Sequence, residues 1–211
     1  MTTTPAPLSG RRAQAARNDR LVLEAARAVF AADPGAPIAA VAQRAGVGIS
    51  ALYRRYPSKE ALLQRLAADG LQRYLAAAEA ALADQGDPWA AFATFMGRSL
   101  DAGAGSLTVR LAGSFAATEE LTHLGAAAYQ VTQRLLERTR AAGALRADIE
   151  VGDLTLLFEQ LQAIRAGDED RNRQLRHRYL SLLLDALHQP GAPPLPGPPP
   201  TWEEITRRYQ T

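Results

Sequence analysis

The chain has 211 residues, which allows one large domain or two small ones, and its 47% hydrophobic content is enough for a sizeable core. It contains no cysteine, so its composition excludes disulfide bonds, thiolate chemistry and cysteine-ligated metals. The net charge is only +2, but it is unevenly distributed: residues 1–75 hold 11 basic and 5 acidic side chains, whereas residues 76–211 hold 13 basic and 17 acidic ones. The basic N-terminal part suggests a polyanionic partner. The alternative is that both surfaces are simply solvated.

The residue pattern is helical along the whole chain. Alanine is abundant, aromatic residues make up only 6%, and β-branched residues never alternate over a strand-length run. We therefore predict an all-α fold of about nine helices followed by a short C-terminal helix. No stretch approaches the ~18 apolar residues of a membrane span, and the N-terminal MTTTPAPLSGRR has no apolar run that would make it a secretory signal. A cytoplasmic protein with no membrane partner is expected.

In chain order, residues 1–10 are expected to form a disordered arm. Helices are then predicted over 11–32, 38–45 and 49–56, because DPG, Gly46 and Pro57 end them in turn. Residues 11–57 are predicted to be the first domain.

A second helical domain is predicted over 58–189. Ser58 can cap a helix that stays periodic to Asp84, and Asp87 with Pro88 can start another that ends near Ala102. Further helices are predicted over 106–117, from Thr118 to about 143, from 148 or 150 to about 165, and over 168–188.

The chain ends in a separate segment, 190–211. It consists of the proline-rich PGAPPLPGPPP and a short helix whose capping box is Thr201 with Glu204. Trp202 and Ile205 favour docking of this helix on the body, although a mobile tail is the alternative.

The segment AVAQRAGVGISALYRRYPSKEAL, from Ala40 to Leu62, breaks twice and crowds basic and aromatic residues between the breaks. Two short helices joined by a tight turn can cross steeply, so that one braces while the other enters a groove. Ala42 and Ala45 allow close approach, and Gly46 is free to turn. This is a helix-turn-helix pattern, and an α-helix fits the DNA major groove. An ordinary pair of core helices is the alternative interpretation.

This segment and the preceding LVLEAARAVFAADP resemble the DNA-binding signature of TetR-type (tetracycline-repressor-like, AcrR-like) transcriptional regulators over about residues 17–66. The shared features are an Ala-Gly-Val turn, a Leu-Tyr pair, a second aromatic and a lysine: Ala45, Gly46, Val47, Leu52, Tyr53, Tyr56, Pro57, Ser58 and Lys59. The resemblance implies three DNA-binding helices followed by a helical ligand-binding and dimerisation domain. Pro37 and Gly48 depart from the residues usual at two helix starts, which leaves the operator sequence undetermined.

The resemblance also implies which residues contact double-stranded operator DNA. Those expected at base edges or in the groove are Ile49, Ser50, Ala51 and Arg54. Those expected at phosphates are Tyr53, Arg55 and Lys59. A homodimer on a palindromic site would be the binding species.

In such regulators a small apolar molecule lies among the helices of the second domain. The candidate lining residues are its large apolar side chains: Trp89, Phe92, Phe95, Met96, Leu100, Phe115, Leu124, Tyr129 and Phe158. Two apolar stripes are candidates for the dimer interface: Leu154, Leu157, Leu161 and Ile164, then Leu175, Tyr179, Leu182 and Ala186. Ordinary core is the alternative for both sets. A hydrophobic, non-cationic effector is expected, with candidate polar anchors Thr94, Ser114, His123, Tyr129 and Gln160.

No catalytic or metal-binding pattern emerges. His123, His177 and His188 lie far apart without a carboxylate at metal-ligand spacing, and no GxSxG nucleophile motif occurs. Neither a metal nor a cofactor is expected. The prediction is a dimeric repressor, not an enzyme, that a small hydrophobic ligand releases from a palindromic operator. A ligand-independent regulator or activator on the same fold, a helical enzyme or lipid carrier, and a structural adaptor remain as alternatives.

Overall fold

The structure is a computed structural model that describes residues 10–103 and 115–207. Within those ranges the chain forms helices and no strand, as predicted. The helices described are α1 (Gly10–Ala32), α2 (Ile38–Ala45), α3 (Ile49–Arg55), α4 (Lys59–Ala83), α5 (Pro88–Asp101), α6 (Glu119–Ala141), α7 (Val151–Gln162), α8 (Glu169–Leu187) and α9 (Trp202–Arg207). None of them is long and apolar enough to cross a membrane. Residues 1–9 of the expected arm and most of the helix predicted over 106–117 lie outside the described residues.

Short polar side chains fix several helix starts. Asp87, Thr118 and Asp168 each accept a backbone N–H of the first turn and so cap α5, α6 and α8. Such a cap is worth ~1 kcal/mol relative to alanine. By contrast, α2 and α3 follow Pro37 and Gly48 and have no side-chain cap, so their stability depends more on packing.

The first compact unit ends at Leu66 and contains α1, α2, α3 and the first turns of α4. Phe30 of α1 and Val41 of α2 are fully buried, and Leu52 of α3 is nearly so. Gly46 has φ 67°, a left-handed conformation that glycine adopts without strain, and it ends α2. The chain can therefore turn sharply between α2 and α3, as the helix-turn-helix pattern predicts.

The second compact unit begins at Ala67. Its main core is aromatic: the ring of Tyr74 meets Phe95 and Phe158 edge-on, with centroids 5.2 and 6.4 Å apart. The Tyr74 hydroxyl is hydrogen-bonded to the Thr132 hydroxyl at 2.9 Å, so this buried polar group has a partner. Burial raises the pKa of Tyr74 to about 12. A smaller apolar cluster contains Ala67, Ala68, Leu71, Phe115, Leu121 and Leu124.

The proline-rich segment is fixed to the second unit by an ion pair. Arg146 Nε donates to Asp148 Oδ1 at 2.6 Å, and Arg146 Nη2 also donates to the Pro193 carbonyl at 2.9 Å. Asp148 Oδ2 accepts the Leu195 N–H at 2.6 Å. The bond from Arg146, followed by the one from Leu195, holds the pKa of Asp148 well below its ordinary value. Both charged groups therefore serve to anchor the tail.

The terminal helix α9 docks on the same unit, as favoured from the sequence. Ile205 is buried, and the ring of Trp202 lies 4.8 Å from that of Tyr129 in α6. The predicted capping box is present, because the Glu204 carboxylate accepts the Thr201 N–H at 2.7 Å and the Thr201 hydroxyl accepts the Glu204 N–H at 3.2 Å. A Cβ added at Gly152 in α7 would lie 2.3 Å from the Pro200 carbonyl oxygen, so the chain passes this point only because residue 152 has no side chain.

Candidate nucleic-acid interface and ligand domain

Helix α3 turns its predicted contact residues outward. Ile49 and Tyr53 are 39% and 47% exposed, whereas Leu52 is only 2% exposed and holds the helix to its unit. The other outward residues predicted at base edges are Ser50, Ala51 and Arg54. The alternative of an ordinary core helix does not fit α3, because only one side of it is buried.

The C-terminal end of α3 is bound to α1 through Asp19. The Tyr56 hydroxyl donates a short hydrogen bond to Asp19 Oδ1, and Arg55 Nε donates to the same oxygen at 3.2 Å. Tyr56 is 5% exposed, so the bond lies at the edge of the core. Asp19 carries no signal in the sequence that points to this role, because it lies 36 positions before Arg55 and no spacing rule relates the two residues.

This arrangement stabilises the charges of the three groups in different ways. Burial acts to raise the pKa of Asp19, but the hydrogen bonds from Tyr56 and Arg55 outweigh it, so the pKa lies below its ordinary value. Burial and the bond to Asp19 raise the pKa of Tyr56 to about 12. The same carboxylate raises the pKa of Arg55. Asp19 is therefore charged, and Tyr56 remains a hydrogen-bond donor, at neutral pH.

Lys59, the only lysine in the chain, is also bonded within its own unit. Its Nζ donates to the Pro34 carbonyl at 3.0 Å and lies 5.2 Å from the centre of the Phe30 ring. These contacts offset the unfavourable position of a cation at the start of α4. Ser58 caps that helix as predicted, because its hydroxyl accepts the Ala61 N–H at 3.0 Å.

The nine predicted ligand-lining residues fall into two groups. Seven of them belong to the main core or pack against it: Trp89, Phe92, Phe95, Met96, Leu100, Tyr129 and Phe158. Phe115 and Leu124 lie in the smaller cluster instead. The described residues therefore do not bring all nine together around one site.

Several predicted polar anchors face solvent. Thr94, His123 and Gln160, named as candidate anchors, are exposed, and Ser114 lies outside the described residues. The structure instead places the Ser99 hydroxyl in the interior, where it is fully buried and, among the described residues, has no hydrogen-bond partner. Ser99 follows Phe95 by one helical turn, so a polar group lies beside the aromatic core.

The two predicted dimer stripes have different surroundings. On α8, Tyr179 is 48% exposed and Leu182 57% exposed; the stripe is completed by Ala186, which is exposed, and by the partly buried Leu175. On α7, Leu154 and Leu161 are buried in the core of their own chain, which favours for these two the alternative of ordinary core. Leu157 and Ile164 are partly buried against the same core.

The three histidines have separate neighbours. His123 lies 3.6 Å from Glu119, and His177 lies 2.7 Å from Asp101. The His188 ring stacks on Trp89 with centroids 4.1 Å apart. Among the described residues, no three His, Cys, Asp or Glu side chains are grouped so as to hold a metal ion.

Comparison with known proteins relates both units to one family. The sequence signature "Bacterial regulatory proteins, tetR family" matches residues 22–66, and "Transcriptional regulator SbtR-like, C-terminal domain" matches residues 87–189. No curated protein matched the chain. The C-terminal match ends before the proline-rich segment, so the docked tail is additional to that domain.

Solved structures agree with these signatures. A TetR transcription regulatory protein from Mycobacterium vanbaalenii is 31% identical over 84% of this chain and 98% of its own, with a TM-score of 0.59. The TetR-like regulator LfrR from Mycobacterium smegmatis, solved in complex with proflavine, is 29% identical over 85% of this chain and 99% of its own, with a TM-score of 0.61. A TetR regulator from Streptomyces coelicolor, 24% identical over 82% of this chain and 99% of its own with a TM-score of 0.59, shares the fold. The chain therefore belongs to the TetR family of DNA-binding transcriptional regulators and is not an enzyme.

Proposed function

We propose that the chain is a homodimeric repressor that leaves its operator when a small hydrophobic effector binds the C-terminal domain. The observation that carries this proposal is the exposed apolar stripe on α8, where Leu182 and Tyr179 would otherwise remain in water. A two-fold dimer formed through this stripe presents two copies of α3, as a palindromic site requires. Because its ligand is chromosomal DNA, the protein would act in the cytoplasm.

The outward side of α3 supports the assignment of DNA contacts. Ile49, Ser50, Ala51 and Arg54 would face base edges, where arginine can pair with guanine through two hydrogen bonds. The exposed Tyr53 would hold a phosphate. Lys59 would do so if its ammonium exchanges the Pro34 carbonyl for a phosphate oxygen.

The aromatic core of the second unit supports an effector that is apolar and uncharged. Its buried polar groups include the hydroxyls of Ser99, Thr132 and Tyr74, which suit a neutral hydrogen-bonding group better than a cation. LfrR, which has a similar structure, holds proflavine and supports the view that this architecture can accept a small organic molecule. Bound effector would favour a dimer whose α3 helices are wrongly spaced, and DNA would weaken effector binding by the same factor.

The test begins with selection of duplexes from a random-sequence library by the full-length dimer. Recovered sites should form an inverted repeat with half-sites about one helical turn apart. In vitro transcription from a promoter carrying that site should fall when the protein is added and recover with a compound from a panel of neutral, anionic and cationic aromatics. Failure to enrich any sequence would reject the operator role. Increased transcription would instead favour an activator, and repression that no compound relieves would favour a ligand-independent regulator.

A further inference from the structure

We propose that Asp19 is a positioning residue for DNA recognition: it fixes the end of α3 through Tyr56 and keeps the Arg55 guanidinium away from the DNA backbone. The proposal rests on the DNA-binding part of the proposed function. It changes the role implied for Arg55 by the family resemblance from a phosphate contact to an internal partner of α1.

The geometry supports a fixed joint between α1 and α3. One carboxylate oxygen, Asp19 Oδ1, accepts both the Tyr56 hydroxyl and Arg55 Nε. The Asp19 side chain is only 13% exposed, whereas that of Arg55 is 64% exposed, so the carboxylate lies beneath the guanidinium rather than beside it in water. Arg65 of α4 adds a further positive field at the same carboxylate.

The consequence for α3 is orientational. This helix has seven residues and no side-chain cap at its start, so its own hydrogen bonds hold it weakly. Leu52 anchors its middle and Tyr56 its end. Without the Asp19 bond, the end of the helix would depend on apolar packing alone, and the base-facing residues would be less well placed.

The consequence for charge is that the Arg55 guanidinium does not contribute to phosphate binding. Arg54 and Arg55 are adjacent, yet only Arg55 has an acidic partner in the described unit. Each phosphate contact by a cation adds about 0.9 to the slope of log affinity against log salt concentration. If Asp19 holds Arg55, that residue contributes nothing to the slope in the wild-type protein, and freeing it makes the slope steeper.

The decisive experiment measures salt slopes by fluorescence anisotropy with a fluorescein-labelled 30-base-pair duplex of scrambled sequence. Asp19→Asn should steepen the slope by about 0.9 per chain, or about 1.8 for the dimer, which is an additional loss of about twelvefold in the affinity of the dimer between 50 and 200 mM salt. Arg55→Gln alone should leave the slope unchanged. Arg55→Gln in the Asp19→Asn background should restore the wild-type slope. A role that only stabilises the fold would not produce this pattern.

Glu24→Gln is the matched control, because it removes one carboxylate from the same helix and Glu24 is itself exposed, paired with the exposed Arg20 at 4.0 Å. Glu24→Gln should change the salt slope no more than the removal of any one exposed carboxylate from this unit would. A second measurement compares the scrambled duplex with a duplex that the wild-type protein selects from a random library. Tyr56→Phe retains the ring but loses the hydroxyl, and it should reduce the preference for the selected duplex by about tenfold, the cost of one poorly placed base contact.

The outcomes separate this proposal from the DNA-binding role itself. If Arg55→Gln alone flattens the slope by about 0.9 per chain, Arg55 contacts a phosphate and the proposal is overturned. An unchanged slope in Asp19→Asn, or an unchanged preference in Tyr56→Phe, also overturns it. If the wild-type protein binds neither duplex, the proposed operator role fails before Asp19 is at issue.

Discussion

At the residue scale, the acid sensitivity of the first unit should depend on Asp19. The pKa of this carboxyl is lowered in the folded state from an ordinary value of 3.8. The ionised form therefore adds stability that is fully present above pH 3.8 and is lost as the pH falls through the lower folded pKa. Asp19→Asn should lower the melting temperature relative to wild type at pH 7, and the difference should shrink below about pH 4.

Melting curves followed by circular dichroism at several pH values would check this expectation, with Glu24→Gln as the exposed carboxylate control. A difference between wild type and Asp19→Asn that persists unchanged to pH 3 would show that the charge of Asp19 contributes nothing to stability.

Lys59 gives a second prediction at this scale. Lys59→Met keeps most of the aliphatic stem over Phe30 but removes the ammonium group that bonds the Pro34 carbonyl. We expect weaker binding to all duplexes and a salt slope flatter by about 0.9 per chain, because one phosphate contact per chain is lost. Anisotropy titrations at four salt concentrations would measure it. If Lys59→Met keeps the wild-type slope, Lys59 makes only its structural contact with Pro34 and does not bind a phosphate.

Residue-scale contacts were the part of the site that sequence could predict least. The outward positions of Tyr53 and Arg54 follow from helix periodicity once Leu52 is taken as buried, whereas Ile49, three residues before Leu52, shares its side by that rule and is exposed nonetheless. The bonds of Arg55 to Asp19 and of Lys59 to Pro34 are between distant positions, and no local rule indicates them. A basic residue near DNA is therefore easy to identify, whereas its internal partner is not.

At the element scale, Gly152 should control the docking of α9. Even in the first turn of α7, an alanine would ordinarily stabilise the helix relative to glycine, by at most ~1 kcal/mol. Here its Cβ would meet the Pro200 carbonyl oxygen, so the tail must shift and expose Ile205. Burial of such a side chain is worth ~1.5–3 kcal/mol, so Gly152→Ala should destabilise the second unit on balance.

Gly125→Ala in α6 is the matched control, because nothing lies within 4 Å of the added Cβ there, and it should be neutral or stabilising. Denaturant unfolding gives the sign for each variant. Hydrogen exchange at the Leu195 and Ile205 amides, both bonded in the docked tail, should become faster only in Gly152→Ala. A stabilised Gly152→Ala protein with a protected tail would show that the backbone adjusts at no cost.

The elements themselves were largely predictable from sequence. Capping residues, glycine and proline act within a few positions of each other, so the start of α5 at Asp87 and Pro88 and the end of α2 at Gly46 follow directly from local rules. The assignment of apolar stripes was less successful, because helical periodicity shows which residues share a side but not what covers that side. Leu161 and Leu182 have the same pattern, yet one is buried in its own chain and the other is exposed.

At the scale of the whole molecule, the stripe on α8 should determine whether the protein is a dimer. Leu182→Glu places a charge where a partner would remove water, which is costly for an unpaired carboxylate. Sedimentation should show a monomer with unchanged helicity, because Leu182 is exposed in the single chain. Binding to a palindromic duplex should weaken accordingly.

Ser181→Glu is the control, since it adds the same charge to an exposed position on another side of α8. It should remain dimeric. A Leu182→Glu protein that still sediments as a dimer would move the interface away from this stripe, and one that unfolds would show that Leu182 supports its own chain.

The fit between Gly152 and Pro200 has a further consequence for how this sequence can evolve. Residue 152 lies inside the region shared with the SbtR-like domain, whereas residue 200 lies outside it. In a homologue whose chain stops where residue 189 stands, the position equivalent to 152 has no carbonyl to accommodate and can accept any helix-forming residue. Glycine at that position should therefore co-occur with the C-terminal extension across homologues, and lineages that lose the extension should lose the glycine soon afterwards.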